Sequence, residues 1–537
     1  MAQAQQQYIT TPIYYVNDRP HIGHVYTTTV CDVYARFMRF AGNDVFFLTG
    51  TDEHGLKVEK SAQARGISPQ QLADENAAEF QRVLSMFSLT NNDFIRTTNP
   101  NHERQVQLFV QRLLDSGDIY LGQFEGWYDE GQEEYYTETK AKELDYKSPI
   151  SKKPLVRAKE QNYYFRLSAY QSRLEELFAQ RPEFVRPEAR RNEILGRLRE
   201  GLQDVPLSRT NFTWGIQMPN DPQHVIYVWI DALFNYITAL GLAEPESETY
   251  QQRSKYWPAT YHVIGKEILW FHAVVWPAML MALGIELPRC VYAHSFWISE
   301  GQKMSKTLGN FIDLEAIQRY LSAYGLDAWR YYMITQGPLG AQDANFAAGH
   351  FHEIYTAHLV NTVGNSASRV TQMIVKYFDG ILPGETDAAS ASDTSPVMLD
   401  GFHWPTICRE TVERCTKHIT RLELAEAAAE GLALIRKVDA FINATEPFKL
   451  AKDQTKRDQL AAILYQSAEA IRIASLLLWP IVPDKMTALW QALSLSIDPA
   501  RGELHQLAQW GGLPPGSQVQ KVALFPRVEP AAASTAG

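Results

Sequence analysis

Apolar and polar positions alternate in distinct rhythms along the chain. Near the start, residues 8–16 (YITTPIYYV) are β-branched and aromatic almost throughout, as in a buried strand. Asn17-Asp18-Arg19-Pro20 follows as a turn, and from His21 the spacing becomes helical through Tyr34-Ala35-Arg36-Phe37. Residues 44–55 (DVFFLTGTDEHG) read as a short apolar strand stopping at a polar, glycine-bearing loop. Strand, helix and strand at this spacing predict a parallel βαβ unit with a right-handed crossover. In such sheets the ligand crevice lies beyond the carboxyl ends of the strands. The polar tips Asn17–His24 and Gly50–Gly55 are therefore predicted to open on one crevice.

The rhythm changes between about Gly117 and Pro222, where the chain is charged, aromatic and rich in short turns. This predicts a domain inserted into the α/β fold. The α/β pattern resumes with HVIYVWIDALFNYI and YHVIGKEILWFH. After about Phe346 long helical patterns take over, such as RLELAEAAAEGLALIRKVDAFI, with apolar residues at three- and four-residue steps. The predicted division is 1–116 and 223–345 for the two halves of the α/β domain, 117–222 for the insertion and 346–537 for the helices. Residues 381–400 read as a linker and the terminal AAASTAG as a frayed end. Ile268–Leu287 is apolar enough to suggest a membrane span. It holds His272, Pro277 and Glu286 and follows Lys266-Glu267, so it reads as a buried helix.

Composition narrows the class. The 537 residues carry 51 basic and 61 acidic side chains, a net charge of −10, with 45% hydrophobic and 21% charged residues. This is globular, and it excludes a disordered chain, a collagen-like fibre and a disulfide scaffold. The length suggests about three to four domains. The acidic balance argues against a sequence-indifferent DNA coater and leaves room for a local basic surface holding a folded RNA. The four cysteines, Cys31, Cys290, Cys408 and Cys415, form no CxxC, as expected in a reducing compartment. MAQAQQQ lacks the basic start of a secretory signal, so a cytoplasmic location is expected.

Two short motifs carry chemistry. His21-Ile22-Gly23-His24 matches HxGH, which chance would produce roughly 0.02 times in a chain of this composition. At a helix N-terminus, backbone N–H groups and the helix dipole favour phosphate. The two imidazoles share a helix face and can donate hydrogen bonds to a triphosphate without fixed charge. Gly23 lets a flat base approach the backbone. Taken alone, the pair could equally be capping histidines. Lys303-Met304-Ser305-Lys306-Thr307, with Leu308-Gly309-Asn310, puts two ammonium groups beside a glycine, as a mobile phosphate clamp requires. Taken alone, it could be a solvated turn.

Together and in this order, the two motifs resemble the signatures of class I aminoacyl-tRNA synthetases. The chain resembles the methionyl-tRNA synthetases in particular, through TPIYYVNDRPHIGH, TGTDEHG, NYYFRLSAYQ, SRTNFTWGI, YVWIDAL, HVIGKEILWFHAVVWPAML, KMSKTLGNFID and NTVGNSASR. The resemblance implies an α/β Rossmann-type parallel-sheet catalytic domain with an inserted connective domain, followed by an all-α anticodon-binding bundle. It implies ATP with Mg²⁺, L-methionine and tRNA(Met) as substrates and partners, and His21, His24, Lys303 and Lys306 as catalytic residues. His21, Gly23, His24, Lys303 and Lys306 would bind ATP. The methionine pocket it implies is Ile13, Tyr15, Asp52, Trp229, Ala232, Tyr236 and His272. Asp52 would pair with the substrate ammonium, Trp229 would face the thioether, and Tyr236 with the Ile13 backbone would touch the sulfur. Read from the residues alone, Trp229, Tyr236 and His272 are ordinary core. Another class I synthetase, or a silent tRNA-binding paralogue, is the alternative.

Several departures stand out. Between His102 and His224 there is no Cys or His, so the zinc knuckle of many relatives is not expected, and packing around Trp127 and Tyr128 would replace it. No metal site is expected, and Cys408, Cys415, His403 and His418 match no zinc spacing. Asn361, Asn365 and Arg369 are spaced to share a helix face and match the family's anticodon readers in position, joined by Phe448 where relatives often have Trp. From the residues alone they are a solvated stripe. Thr307 replaces the usual Ser and keeps a hydroxyl. Without a further C-terminal module, a monomer with no membrane attachment is expected.

Overall fold

The structure is a computed structural model that describes residues 5–17, 19–129, 134–136, 138–304, 310–384 and 401–529. Ser305, Lys306, Thr307, Leu308 and Gly309 lie outside the described residues, as do residues 385–400 of the predicted linker.

Seven parallel strands form the central sheet: β1 (Gln6–Thr10), β2 (Tyr14–Tyr15), β3 (Asp44–Asp52), β4 (Asp93–Arg96), β5 (Val185–Arg186), β6 (Tyr261–Gly265) and β7 (Val291–His294). The expected first strand is interrupted. β1 runs beside residues 44–48 of β3, and β2 continues along the same strand at Thr51 and Asp52. Between them stands Pro12, which has no N–H for the ladder and breaks it. Across the sheet the order is β4, β3, β1 with β2, β6, β7, β5. The chain turns one way after β1 and the other way from β6. The switch point between β1 and β6 is where such sheets open a crevice. β3 is buried at all but its first residue, the near-continuous apolar run of a strand covered on both faces.

Helix α1 (Ile22–Phe40) crosses from β1 to β3 and packs its apolar face on the sheet. Helix α2 (Pro100–Asp115) leads into the insertion, and α3 (Val228–Thr238) follows it. The insertion is built on an antiparallel ribbon, Ile119–Asp129 against Val156–Phe165, from Ile119 opposite Phe165 to Tyr128 opposite Val156. Beside it, Tyr136, Ala141 and Leu155 form a small core with Trp127, Leu144 and Tyr146. The Trp127 ring lies 4.6 Å from Tyr146, and its Nε1 donates to Glu138 at 2.7 Å. Tyr128 is not part of this core; its ring lies 5.7 Å from the Arg209 guanidinium.

After the last strand, Ala344–Phe346, the described chain is helical apart from loops and an isolated bridge. Helix α4 (Leu326–Gln336) joins the two parts, and α5 (Asn365–Tyr377), α6 (Trp404–Thr420), α7 (Leu424–Thr445) and α8 (Arg457–Leu478) pack as a bundle. Arg330 of α4 is fully buried. It donates to Asp32 of α1 at 2.7 Å and to the Pro480 and Ile481 carbonyls, tying the first helix to the bundle. The predicted helix over 268–287 is shorter than expected. A π-turn at Phe271–Val275 runs into helix Trp276–Leu283, and Gly284 at φ +67° ends it. Among the described residues only Gln454–Leu478 is long and apolar enough to cross a membrane, and its apolar window is wholly buried.

Candidate active site

A cavity of about 360 Å³ opens at the switch point of the sheet. Its walls are the carboxyl ends of the strands. Pro12, Ile13 and Tyr15 come from the break in the first strand, Asp52 from the end of β3, Gly265 and Glu267 from the end of β6, and His294 to Trp297 from the end of β7. His21, Gly23, His24 and Thr27 enter from the head of α1, and Trp229, Ala232 and Tyr236 from one face of α3.

The histidine motif is both a cap and a cleft wall. The Nδ1 of His21 accepts the Gly23 N–H at 3.1 Å, and the Nδ1 of His24 accepts the His21 N–H at 3.3 Å. This reciprocal capping satisfies two orphan donors of the helix. It also sets the tautomer: with Nδ1 accepting, each neutral ring carries its proton on Nε2. The rings stack at 3.8 Å. Burial, with the neighbouring His21, holds the His24 imidazole well below its ordinary pKa, so it stays neutral. Gly23 is crowded by its own cap. A Cβ there would lie 3.0 Å from His21 Cε1.

On the next wall, His294 is fixed in the same manner. Its Nδ1–H donates to the Ser295 carbonyl at 2.7 Å, which leaves Nε2 to accept from the Thr27 hydroxyl at 2.8 Å. Burial lowers this imidazole to about 4.

The far end of the cavity is built from α3 and the π-turn. The His272 Nδ1–H donates to the Ile268 carbonyl at 3.0 Å, so Nε2 accepts from the Tyr236 hydroxyl at 2.8 Å. The Tyr236 oxygen therefore spends its proton on His272. Burial lowers His272 to about 4. Trp229 stacks on Phe271 with centroids 4.4 Å apart and planes 6° apart, a flat apolar wall. Asp52 is 8% exposed, which favours a cation as its ligand.

Behind α3, away from the cavity, Asp231 takes an imidazole on each oxygen. His54 Nδ1 and His102 Nε2 both stand 2.7 Å away. Burial alone would lower His54, but the charges of Asp231 and Glu103 and the hydrogen bonds to them together outweigh it and push His54 up to about 10.

Ile13, Tyr15, His21, Gly23, His24, Asp52, Trp229, Ala232, Tyr236 and His272 thus line one cavity. Lys303 does not line it. Lys303 is exposed on a hairpin opposite Ile298, one residue beyond the cavity-lining Trp297. Lys306 lies outside the described residues. Glu267, His294, Ser295, Phe296 and Trp297 were not singled out from the sequence. Their signal was available: GKE and HSFW directly follow the apolar runs YHVIG and VYA. A Cβ on Gly265 would lie 2.3 Å from the Glu267 carboxylate, so a side chain there would displace that carboxylate from its place on the cavity wall.

Asn361 and Asn365 are exposed, and Arg369 donates to Asn443 Oδ1 at 3.1 Å. Asn361 lies in a π-helical stretch, Tyr355–Gly364, and the α-helix begins at Asn365. Phe448 is 42% exposed just beyond the end of α7. Cys408 and Cys415 are buried in the bundle core, while His403 bonds Thr406 and His418 bonds Glu423. Among the described residues no group of His, Cys, Asp or Glu could hold a metal ion.

Residues 7–371 match the family described as "tRNA synthetases class I (M)". The chain is 41% identical over 533 residues to the methionine–tRNA ligase of Halalkalibacterium halodurans, covering 97% of this chain and 78% of that one. It is 39% identical over 533 residues to that of Bacillus subtilis, with the same coverage. Its fold is similar to Mycobacterium tuberculosis methionyl-tRNA synthetase in complex with methionyl-adenylate. The TM-score is 0.88 at 35% identity, over 97% of this chain and 100% of the other.

Proposed function

The chain belongs to the methionine–tRNA ligases, the M group of the class I tRNA synthetases, and from this premise we propose how its residues divide the reaction. The enzyme joins methionine to tRNA through methionyl-adenylate, using ATP. In the first step the methionine carboxylate oxygen attacks the α-phosphorus, and the bond to pyrophosphate breaks. In the second, the terminal ribose hydroxyl of the tRNA attacks the methionyl carbonyl, and AMP leaves.

The work is positioning and charge neutralisation. The Nε2–H groups of His21 and His24 donate to the triphosphate, the His24 ring staying neutral. Gly23 leaves room for the nucleotide. Lys303 and Lys306 bring positive charge to the departing pyrophosphate. Asp52 pairs with the methionine ammonium. Trp229 and Ala232 enclose the thioether, with Ile13 and Tyr15 on the facing wall. Tyr236 cannot donate to the sulfur while its proton is held by His272. Its role is to fix the shape of the pocket end, not to hydrogen-bond the sulfur. Mg²⁺ would arrive with the triphosphate and help neutralise its charge; Asp52 and Glu267 are the only carboxylates among the described lining residues. Asn361, Asn365, Arg369 and Phe448 read the anticodon, the amides and guanidinium by hydrogen bonds and the ring by stacking. A cytoplasmic monomer is the form proposed, and sedimentation velocity tests the monomer.

The observation that carries the reading is the pairing, in one cavity, of two stacked imidazoles at a helix head with a carboxylate and an apolar aromatic slot. ATP–pyrophosphate exchange with a panel of amino acids, on wild type and Lys306→Ala, tests it. Methionine alone should drive exchange, and the variant should lose about a hundredfold, or about 2.7 kcal/mol of transition-state stabilisation. Exchange driven by another amino acid would overturn the pocket. An unaffected Lys306→Ala would overturn the clamp.

A further inference from the structure

The two faces of α3 carry different residues. Val228, Trp229, Ala232, Leu233 and Tyr236 line the cavity, whereas Asp231 and Thr238 face the protein behind it. Asp231 is 1% exposed and does not line the cavity. Both its oxygens are engaged at 2.7 Å, by His54 Nδ1 and His102 Nε2. His102, on α2, grips α3 a second time through its Nδ1 and the Thr238 hydroxyl, at 2.7 Å. His54 stands two residues after Asp52, and its Nε2 is 3.5 Å from Glu103. The His54 loop is anchored on its other side, where the Trp214 indole donates to the Glu53 carbonyl at 2.7 Å and the Gly55 N–H to the Trp214 carbonyl at 3.0 Å.

We propose that His54, Asp231 and His102 are positioning residues that set the span of the amino-acid pocket. Through Asp231 they lock the loop that follows Asp52 at the end of β3 to the helix carrying Trp229, Ala232 and Tyr236. This rests on the reading of that end of the cavity as the methionine site. Methionine must reach Asp52 with its ammonium and the Trp229 face with its thioether, so its affinity depends on the distance between β3 and α3. No covalent link or shared strand sets that distance, because the two elements are separated by the whole insertion. The only charged contact between the loop and the helix face among the described residues is His54 with Asp231. The described groups assigned to ATP lie on α1 (His21, Gly23, His24) and on the hairpin of Lys303, with which the cluster shares no hydrogen bond or ion pair among the described residues. The cluster therefore acts on methionine and not on ATP.

The test is steady-state exchange by Asp231→Asn, His54→Gln and His102→Gln, with methionine and ATP varied separately, beside a fluorescence titration with methionine alone. Asp231→Asn keeps the shape and replaces one acceptor oxygen by a donor facing an imidazole N–H. Methionine KM and Kd should rise about tenfold, with ATP KM within twofold and kcat nearly unchanged. A merely structural role would lower Tm without splitting the two substrates. A folded Asp231→Asn with unchanged methionine KM, or with ATP KM rising in parallel, overturns the inference. If Asp231→Asn does not fold, His54→Gln decides by the same criteria. Wild type that exchanges normally while all variants match it sinks only this inference. Wild type without methionine-dependent exchange sinks the reading of the pocket and this inference with it.

Discussion

Substituting Gly23 by alanine tests how closely the nucleotide wall is built. A Cβ at this position would meet His21 Cε1 at 3.0 Å and Nδ1 at 3.2 Å. Carbon pairs rest at about 3.5–4.0 Å, so the ring must retreat by about half an ångström. That retreat stretches the 3.1 Å bond from the Gly23 N–H to His21 Nδ1 and weakens the cap, at about 1 kcal/mol. His24 follows, because its ring is stacked 3.8 Å from His21 and its Nδ1 accepts the His21 N–H. Reacting groups must be held within about 0.5 Å, and a 1 Å misplacement costs about a hundredfold. Gly23→Ala should therefore lower kcat/KM for ATP about ten- to hundredfold, or about 1.4–2.7 kcal/mol. The Tyr236–His272 end lies across the cavity, so methionine binding measured without ATP should not change. The assay is pyrophosphate exchange at saturating methionine with ATP varied, together with the methionine titration. A folded Gly23→Ala within threefold of wild type would refute the reasoning, because the crowding would then be absorbed without moving the donors.

Trp229→Ala removes the ring stacked on Phe271, and methionine KM in exchange should rise at least about tenfold, about 1.4 kcal/mol, while ATP KM stays put. Arg369→Ala should raise the tRNA KM in aminoacylation about tenfold and leave exchange unchanged; equal loss in both assays would place Arg369 outside anticodon reading. Stability should fall with acidification. His272 and His294 sit at about 4 in the fold, whereas the unfolded chain protonates them near about 6.5. Between those values the unfolded state binds more protons, so each histidine removes about 1.4 kcal/mol per pH unit as pH falls, and His272→Gln should flatten Tm between pH 6.5 and 4.5 relative to wild type. His54, at about 10, works the other way. Its contribution is complete below about pH 6.5 and is lost as pH rises toward 10, so His54→Gln should flatten the alkaline limb of the same Tm profile.

Much of the α/β framework is legible because its signals are local. The apolar run of β3, the helical spacing after His21 and the cap at the helix head each lie within a few residues. The break at Pro12 is equally local, yet it is easily read past inside a run of strand formers, and it is what brings Ile13 and Tyr15 to the cavity. Glu267, His294 and Trp297 follow visible apolar runs, but their meeting with His21 was not legible. They join His21 only because β6 pairs with β1 across some 250 residues, and nothing in the local pattern says which strands are neighbours. The insertion's small core is a mixed case: Trp127 was a visible anchor, but its partner Tyr146 comes from a turn rather than from the neighbouring Tyr128.

The sequence by itself determined the elements, the motif that caps the first helix and the family to which the chain belongs, because these depend on contiguous residue order. The tertiary structure alone decided which faces meet and which groups stand opposite each cleft histidine. The cleft histidines take their tautomers from near neighbours, the cap for His21 and His24 and the Ile268 and Ser295 carbonyls for His272 and His294. But the hydroxyls that then face Nε2, Tyr236 for His272 and Thr27 for His294, come from other elements. Asp231, unremarkable in sequence, becomes the joint between two pocket walls only when α2 and the loop after β3 deliver an imidazole to each of its oxygens. A buried carboxylate is stable only with such partners, and only the folded chain can supply them.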